Sequence, residues 1–507
     1  MKRKRRFPPL RIAAIRNFPA ALLLLCGLLA SCTRSAEPSL ELRVMTFNIE
    51  WGGEHVSFDK VIEAIRRANA DIVGIQEAEG NLRLLADRLG WHYDLRNYVI
   101  SKHPLIDPPG GDGKFVFAEV SDGRFVAIAN VHLPSDPYGP DAVRDGAAIE
   151  DVIAIENRVR LPKMRPVLDA LKPLTARDIP LFMTGDFNAP AHGDWTEAAV
   201  GTRPFIRFAV DWPVSLAVAA AGFRDSWREV HPDALADPGL TWWAGRPPLE
   251  LYAPGESDPE DRIDFIHFSG PVSVTGSELV GEPEAKGVSI SVSPWPSDHR
   301  ALVSGFAVRP AELPRMLTTV HRVYRTGDSI AILYRRAAND TIRVSRIADD
   351  GAETTVLERP ASGNGSIQVA GGLLGEGHFR VDMTNMGGES TPSRDFWVLN
   401  PTAEPEIEVT ATTFSSGKAI SVRWRDAPGN RNDYVGIVRV SSDSVADSVT
   451  DTSLPWAYVN AMPQGQLLID ETTSEWGWPI DPGIYAAHLF LDDGYKSLAR
   501  SEAFVVD

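Results

Sequence analysis

A series of short apolar runs in this chain each end in residues able to carry acid–base or metal chemistry. Asn48 stands in Thr-Phe-Asn-Ile-Glu, Glu77 in Gly-Ile-Gln-Glu-Ala and His132 in Ala-Asn-Val-His-Leu. Asp186 and Asn188 share Thr-Gly-Asp-Phe-Asn-Ala-Pro, Asp264 stands in Arg-Ile-Asp-Phe-Ile, and Asp298 and His299 in Pro-Ser-Asp-His-Arg. Carboxylate and amide oxygens suit a hard divalent cation that keeps several waters, and imidazoles change charge near neutral pH. The combination is the donor set of metal-assisted phosphoryl transfer, in which water attacks a clamped phosphate in line and no covalent enzyme intermediate is needed. Taken singly, Asn48 or Asn188 is a cap or turn residue, Asp264 a solvated strand edge and His132 a hydrogen-bonded structural histidine. Their ordered recurrence after strand-like runs carries the functional reading.

The elements that must position them are legible. Leu42 to Asn48, Ile72 to Glu77, Phe125 to His132 and Pro180 to Asp186 read as strands, and Val61 to Ala68 and Leu82 to Leu89 have helical spacing of apolar residues. Strand ends are where a rigid sheet aims side chains into a shared cleft. The mixed pattern over residues 41–308 predicts an α/β catalytic region large enough for its own core. Linkers are expected at Arg309 to Pro314 and Asn400 to Pro405, where proline and polar residues break the pattern. Beyond them only strand alternation remains, in residues 315–399 and 405–507, which predicts two immunoglobulin-like all-β sandwiches.

The ordered motifs resemble those of the endonuclease/exonuclease/phosphatase superfamily, which includes DNase I-like nucleases, abasic-site endonucleases, inositol polyphosphate 5-phosphatases and neutral sphingomyelinases. The resemblance spans about Leu42 to Gly305 and implies a DNase I-like four-layer α/β sandwich. It implies Mg²⁺, or Mn²⁺ in its place, held by Glu77 with Asn48 and Asp298. Asp186 is then the candidate to orient or deprotonate the attacking water, and Asn188 to hold a non-bridging oxygen. His299, with Asp264 on its other ring nitrogen, and His132 become the phosphate and leaving-group contacts. Arg158 is a further candidate for substrate binding, in a helix-like run where the register to the family's arginine is ambiguous; Arg262 is read as pairing with neighbours such as Asp261. Trp195, Trp212, Trp242 and Trp243 near the motifs either line a pocket or pack the core.

The first residues read as an export signal. A basic opening, Lys2 to Arg6 with Arg11 and Arg16, precedes the apolar run Phe18 to Ala30, too short to span a bilayer comfortably. Leu29-Ala30-Ser31-Cys32 resembles a bacterial lipobox, which implies a signal over residues 1–31, lipidation of Cys32, a tether over residues 32–40, and an envelope lipoprotein of the outer membrane held only by that anchor. With two cysteines in 507 residues, no disulfide framework holds the chain. A composition of 43% hydrophobic and 23% charged residues excludes a disordered or polytopic membrane protein. The net charge of −17 excludes a constitutive nucleic-acid coat, though not a nuclease whose metal offsets it locally.

Function is therefore expected to be phosphoric ester hydrolysis, as a phosphodiesterase or nuclease. The alternatives are a phospholipid- or sphingomyelin-type phosphodiesterase, a phosphomonoesterase, or a catalytically inactive surface-binding lipoprotein. The substrate is expected to be a nucleic acid, a nucleotide or a lipid headgroup. The C-terminal regions read as spacers packed on the catalytic region or as modules for a glycan or surface ligand.

Overall fold

The apolar runs pair into two mixed sheets. The computed structural model describes residues 39–245, 259–283, 285–440, 455–474 and 477–507, all within the unit Ser39–Asp507. The expected export signal and Cys32 lie outside the described residues. In chain order the strands are β1 (Leu40–Asn48), β2 (Ile72–Gln76), β3 (His92–Asp94), β4 (Val99–Ser101), β5 (Leu105–Ile106), β6 (Val116–Ser121) and β7 (Arg124–His132). There follow β8 (Leu181–Asp186), β9 (Arg224–Asp225), β10 (Asp264–Ser269), β11 (Val272–Gly281), β12 (Val288–Ser291) and β13 (Ala301–Val308). The helices are α1 (Phe58–Ala68), α2 (Leu82–Leu89), α3 (Gly139–Arg144), α4 (Ile149–Val159), α5 (Leu161–Thr175), α6 (Pro213–Ala220) and α7 (Ser226–Val230). One sheet runs β12-β11-β13-β1-β2-β4-β3; the other runs β5-β6-β7-β8-β10-β9, with the short strand Ala311–Glu312 added on β7. The expected first linker is thus stitched to the catalytic region.

Alternation along each strand explains the layering. On β1, Leu42 and Val44 enter a core shared with Ile128, Phe182 and Phe268 of the other sheet, while Met45 and Phe47 face a core with Val61, Ile65, Leu82 and Leu85 of α1 and α2. On β8, Phe182 points between the sheets and Leu181 and Met183 meet Met164, Leu171 and Val218 of α5 and α6. Strands covered on both faces must read as nearly continuous apolar runs, and the layers are helix, sheet, sheet, helix as expected. Between the sheets Gln76 Nε2 donates to Asn130 Oδ1 at 2.7 Å and Thr184 Oγ1 to the same oxygen at 2.9 Å. Gly74 allows this approach: a Cβ there would stand 2.0 Å from Thr184 Oγ1.

Both C-terminal regions are all-β, but they differ in build. The first is one six-stranded sheet dominated by the hairpin of Ser329–Ile347 and Glu353–Ala370. Ser329–Ile347 is one long strand, whose pairing shifts register around Ala337 and lets it bend. The second region has two sheets, of three and six strands, whose inner faces meet through Val422 and Trp424 on one side and Val435, Ile437 and Leu489 on the other. Among the described residues no helix is long and apolar enough to cross a membrane.

The last region docks beside the turn that follows β2. Asp492 accepts from Gly80 N at 2.6 Å and from the Tyr98 hydroxyl, and Asn432 N donates to Tyr98 Oη at 3.1 Å. A Cβ on Gly80 would lie 2.8 Å from Leu491. Burial, reinforced by Asp433 and Asp493 and opposed by the Tyr98 and Gly80 donors, pushes the Asp492 carboxyl up to about 7. A carboxyl with a raised folded pKa stabilises most below its unfolded value near 4, and that contribution is lost as pH rises through the folded value. The melting temperature is therefore expected to fall between about pH 4 and pH 7. Asp492→Asn, neutral throughout, should flatten that slope; an unchanged slope in the variant would sink the assignment.

Candidate functional site

Register brings the strand-end residues together. His132 lies opposite Asp186 on parallel β7 and β8, and Asp264 lies opposite Asp186 on antiparallel β8 and β10. In the other sheet Asn48 pairs with Gln76 across β1 and β2, which places Glu77 one residue further on. The two sheets meet here: Asn48 Nδ2 donates to Glu77 Oε1 at 2.8 Å and to Asp186 Oδ2 at 3.1 Å, and lies 3.4 Å from His299 Nε2. Glu50, Trp51, Glu77 and Asn188 all hold positive φ angles of 44–55°, and such strain in non-glycine residues concentrates where geometry is tightly specified.

His299 is the buried centre. Its Nδ1 is 3.0 Å from Asp264 Oδ2, its Nε2 3.7 Å from Asp186 Oδ2 and 3.9 Å from Asp298 Oδ1. Burial pulls its pKa down, but the carboxylates of Asp264, Asp298 and Asp186 outweigh that and hold it well above the usual histidine value. Asp186 is itself held above the ordinary carboxylate range by burial and by Asp264, against His299, His132 and the Asn188 N–H. That N–H donates to Asp186 Oδ1 at 2.9 Å, so Oδ2 is left facing the cluster. His132 stands more open, with Nε2 3.7 Å from Asp186 and 3.9 Å from Glu77. Asn188 Nδ2 donates to Leu133 O at 2.9 Å.

The oxygen donors fit a hard cation. Among the described residues, Asp186, Asp264 and His299 offer ligand atoms within 4.8 Å of one another, and Asp264 Oδ1 is buried without a hydrogen bond. This trio differs from the set the resemblance implies. With Nδ1 on Asp264 and the surrounding carboxylates favouring its charged form, His299 is set to donate rather than to ligate. Glu77 and Asp298 expose about a quarter of their side chains. Asn48 turns its amide nitrogen to the carboxylates and gives its oxygen to Glu50 N at 3.0 Å, so as placed it bridges carboxylates.

Other expectations fall elsewhere. Arg158 is exposed in the last turn of α4 and makes no hydrogen bond or ion pair with the cluster. The buried arginine nearby is Arg160, bonded to Glu156, Ser135 O and Pro137 O. Arg262 pairs with Asp194 and Asp225 at 2.8 and 2.7 Å rather than with Asp261. Trp195 and Trp212 are core residues, packed edge to face at 5.2 Å. Trp242 belongs to the site: it pairs in backbone register with His299 and its Nε1 lies 3.4 Å from Asp298 Oδ2. Sequence reasoning missed Glu50, whose carboxylate accepts from Asp298 N at 3.0 Å, and Ser297, whose hydroxyl links Asn48 O and His299 N. The Asn-Ile-Glu and Pro-Ser-Asp-His motifs held both residues in view.

Comparisons with known proteins bear on the region that carries these residues. The family model described as "Endonuclease/Exonuclease/phosphatase family" matches residues 45–299. "Uncharacterized protein F14F9.5" of Caenorhabditis elegans is 29% identical over 317 residues, covering 56% of this chain and 97% of that protein. Similar solved structures include an endonuclease/exonuclease/phosphatase from Beutenbergia cavernae DSM 12333, at 16% identity and TM-score 0.34 over 70% of this chain and 99% of that one. Another is an endonuclease/exonuclease/phosphatase family protein from Bacteroides thetaiotaomicron, at 14% identity and TM-score 0.32 over 54% of this chain and 96% of that one.

Proposed function

Because the chain belongs to the endonuclease/exonuclease/phosphatase family, we propose that it is a divalent-metal-dependent hydrolase of phosphoric esters acting on phosphodiesters. The observation that carries this is the Asp264–His299–Asp186 set at 3.0 and 3.7 Å, facing Glu77 through Asn48. Glu77 and Asp298, with Asp186 and Asp264 behind them, are the residues that would hold Mg²⁺ or Mn²⁺. A bound cation there supplies charge to a phosphoryl oxygen and to the leaving alkoxide. Asp186, its Oδ1 fixed by the Asn188 N–H, orients the attacking water through Oδ2 and accepts its proton; its raised pKa suits a base. His299, kept cationic by Asp264, donates to the phosphate, and the more open His132 contacts the leaving-group side. Asn188, whose Nδ2 already donates to Leu133 O and Asp186 Oδ2, serves as a positioning residue for Asp186 rather than as the expected holder of a non-bridging oxygen.

The net charge of −17 favours a small or lipid-headgroup diester over duplex DNA. The test is hydrolysis of bis-p-nitrophenyl phosphate, p-nitrophenyl phosphate, sphingomyelin and plasmid DNA, with Mg²⁺ or with chelator. Metal-dependent turnover, highest on a diester and lowered at least about 10²-fold by Glu77→Ala, is the expected result. Chelator-resistant turnover, or a variant as active as the parent, would contradict it.

The sequence features at Cys32 support an exported lipoprotein held at the cell envelope by its acyl chains. Loss of the lipid mass and of membrane association in Cys32→Ala is expected; an unlipidated parent would remove the proposal.

A further inference from the structure

The catalytic region and both all-β regions meet around a cavity of about 280 Å³, lined by five arginines against three aspartates. It borrows walls from all three: Gly80 and Arg96 come from the catalytic region, Arg322 and Arg394 from the first all-β region, and Gly429 and Leu491 from the second. No residue of the phosphoryl-transfer cluster lines it.

Its charge is poorly compensated. Arg96 and Arg394 are 9% and 4% exposed, and both lean on one oxygen of Asp107, Arg96 at 2.9 Å. Asp112 adds a distant contact to Arg96 at 3.7 Å, and the Nε of each arginine is buried without a partner. Among the described residues Arg322 makes no side-chain hydrogen bond or ion pair, and its Nε is buried as well. Burial and then the neighbouring Arg96 push Arg322 down to about 10, against Asp112, Asp395 and Asp94, and Arg394 down to about 9, against Asp94 and Asp395, the direction expected of guanidiniums whose burial outweighs their counter-charge. A buried cation lacking a partner is destabilising, and converging guanidinium forks match the oxygens of a phosphate better than any other common anion. The volume lies at the small end of the range for small-molecule sites, roughly 300 Å³, and so admits a phosphate with a short organic substituent.

We propose that this cavity is a binding site for a small phosphate-bearing anion, held by Arg96, Arg322 and Arg394, which ties the catalytic region to both all-β regions. Two sources share that chemistry, inorganic phosphate and a small phosphorylated metabolite, and inorganic phosphate and glycerol 3-phosphate serve as the respective probes.

The test is calorimetric titration and thermal melting of the full chain in chelator, with sulfate and chloride as controls. Saturable binding of one equivalent of either probe, with a raised melting temperature, is expected for the parent. His299→Gln should bind equally well, which separates this cavity from a phosphate held at the catalytic cluster. Arg322→Gln should keep or raise the ligand-free melting temperature, because it removes an unpartnered guanidinium, and should weaken binding at least tenfold. Arg322→Lys should recover part of the affinity. Saturation by glycerol 3-phosphate alone would assign the organic source, and saturation by both the inorganic one. No saturable binding by the parent, equal binding by a folded Arg322→Gln, or loss of binding in His299→Gln would each overturn the proposal.

Discussion

Asp264→Asn is expected to lower kcat on a phosphodiester about 10³-fold while leaving the melting temperature within a few degrees of the parent, the range seen when a positioned acid loses its orienting group. Asp264 Oδ2 fixes the His299 ring through Nδ1 at 3.0 Å and is the first of the carboxylates that keep it cationic against burial. An asparagine of the same shape keeps the ring near its place but withdraws that charge, so the pKa of His299 falls. In the parent the neighbouring carboxylates hold the His299 pKa above the usual histidine value; in the variant the alkaline limb of the kcat profile should move to lower pH, because the donor is lost sooner as pH rises. His299→Gln should be comparably slow but should lack that limb. A purely structural role for Asp264 would instead lower the melting temperature and leave the pH profile in place. A parallel drop in KM and kcat with an unmoved alkaline limb would therefore count against the assignment.

What could be read from the sequence divides by physical range. Asn48, Glu77, His132, Asp186 and Asp264 were legible because each follows an apolar run, and strands buried on both faces must be written as such runs. The α/β class followed from the same pattern with α1 and α2, while the four layers were what the family resemblance implied. Partners set by tertiary contact were not legible. Arg262 finds Asp194 and Asp225 across distant segments, and Trp242 reaches His299 through an isolated backbone pairing. Arg158 and Arg160 stand two residues apart at the junction of α4 and α5, where Pro162 restarts the helix, and local periodicity cannot say which one turns inward. The hairpin strand Glu353–Ala370 is exposed along most of its length, so it carried no alternation to read. The cavity between regions left no local signature at all, because its arginines come from segments more than two hundred residues apart.

The inward arginine makes the second large effect. Arg160→Met is expected to destabilise the protein by about 3–5 kcal/mol, the usual result of removing one partner from a buried ion pair. Arg160 and Glu156 are both fully buried, 2.8 Å apart, and Arg160 also donates to Ser135 O at 2.6 Å and Pro137 O at 3.0 Å. Burial already pushes Glu156 up to about 7, with Arg160 pulling the other way. Without the guanidinium the carboxyl rises further and must take a proton or remain buried and charged. The sign follows: the deficit should be largest above pH 7, where the unfolded state holds an ionised Glu156 in water, and should shrink as pH falls toward 5. Arg160→Met combined with Glu156→Leu should recover much of the loss, since an apolar pair of similar volume carries no unpaired charge. The same arginine holds the loop that presents Tyr138, whose hydroxyl donates to Asp261 at 3.2 Å and whose ring meets Trp242 edge to face at 5.6 Å beside His299. KM should therefore rise in the single variant even below its melting range. Urea unfolding at pH 5 and pH 8 reads the first effect and steady-state kinetics the second; a loss below about 1 kcal/mol at pH 8 would mean that water satisfies Glu156 and that the ion pair is not what holds this loop.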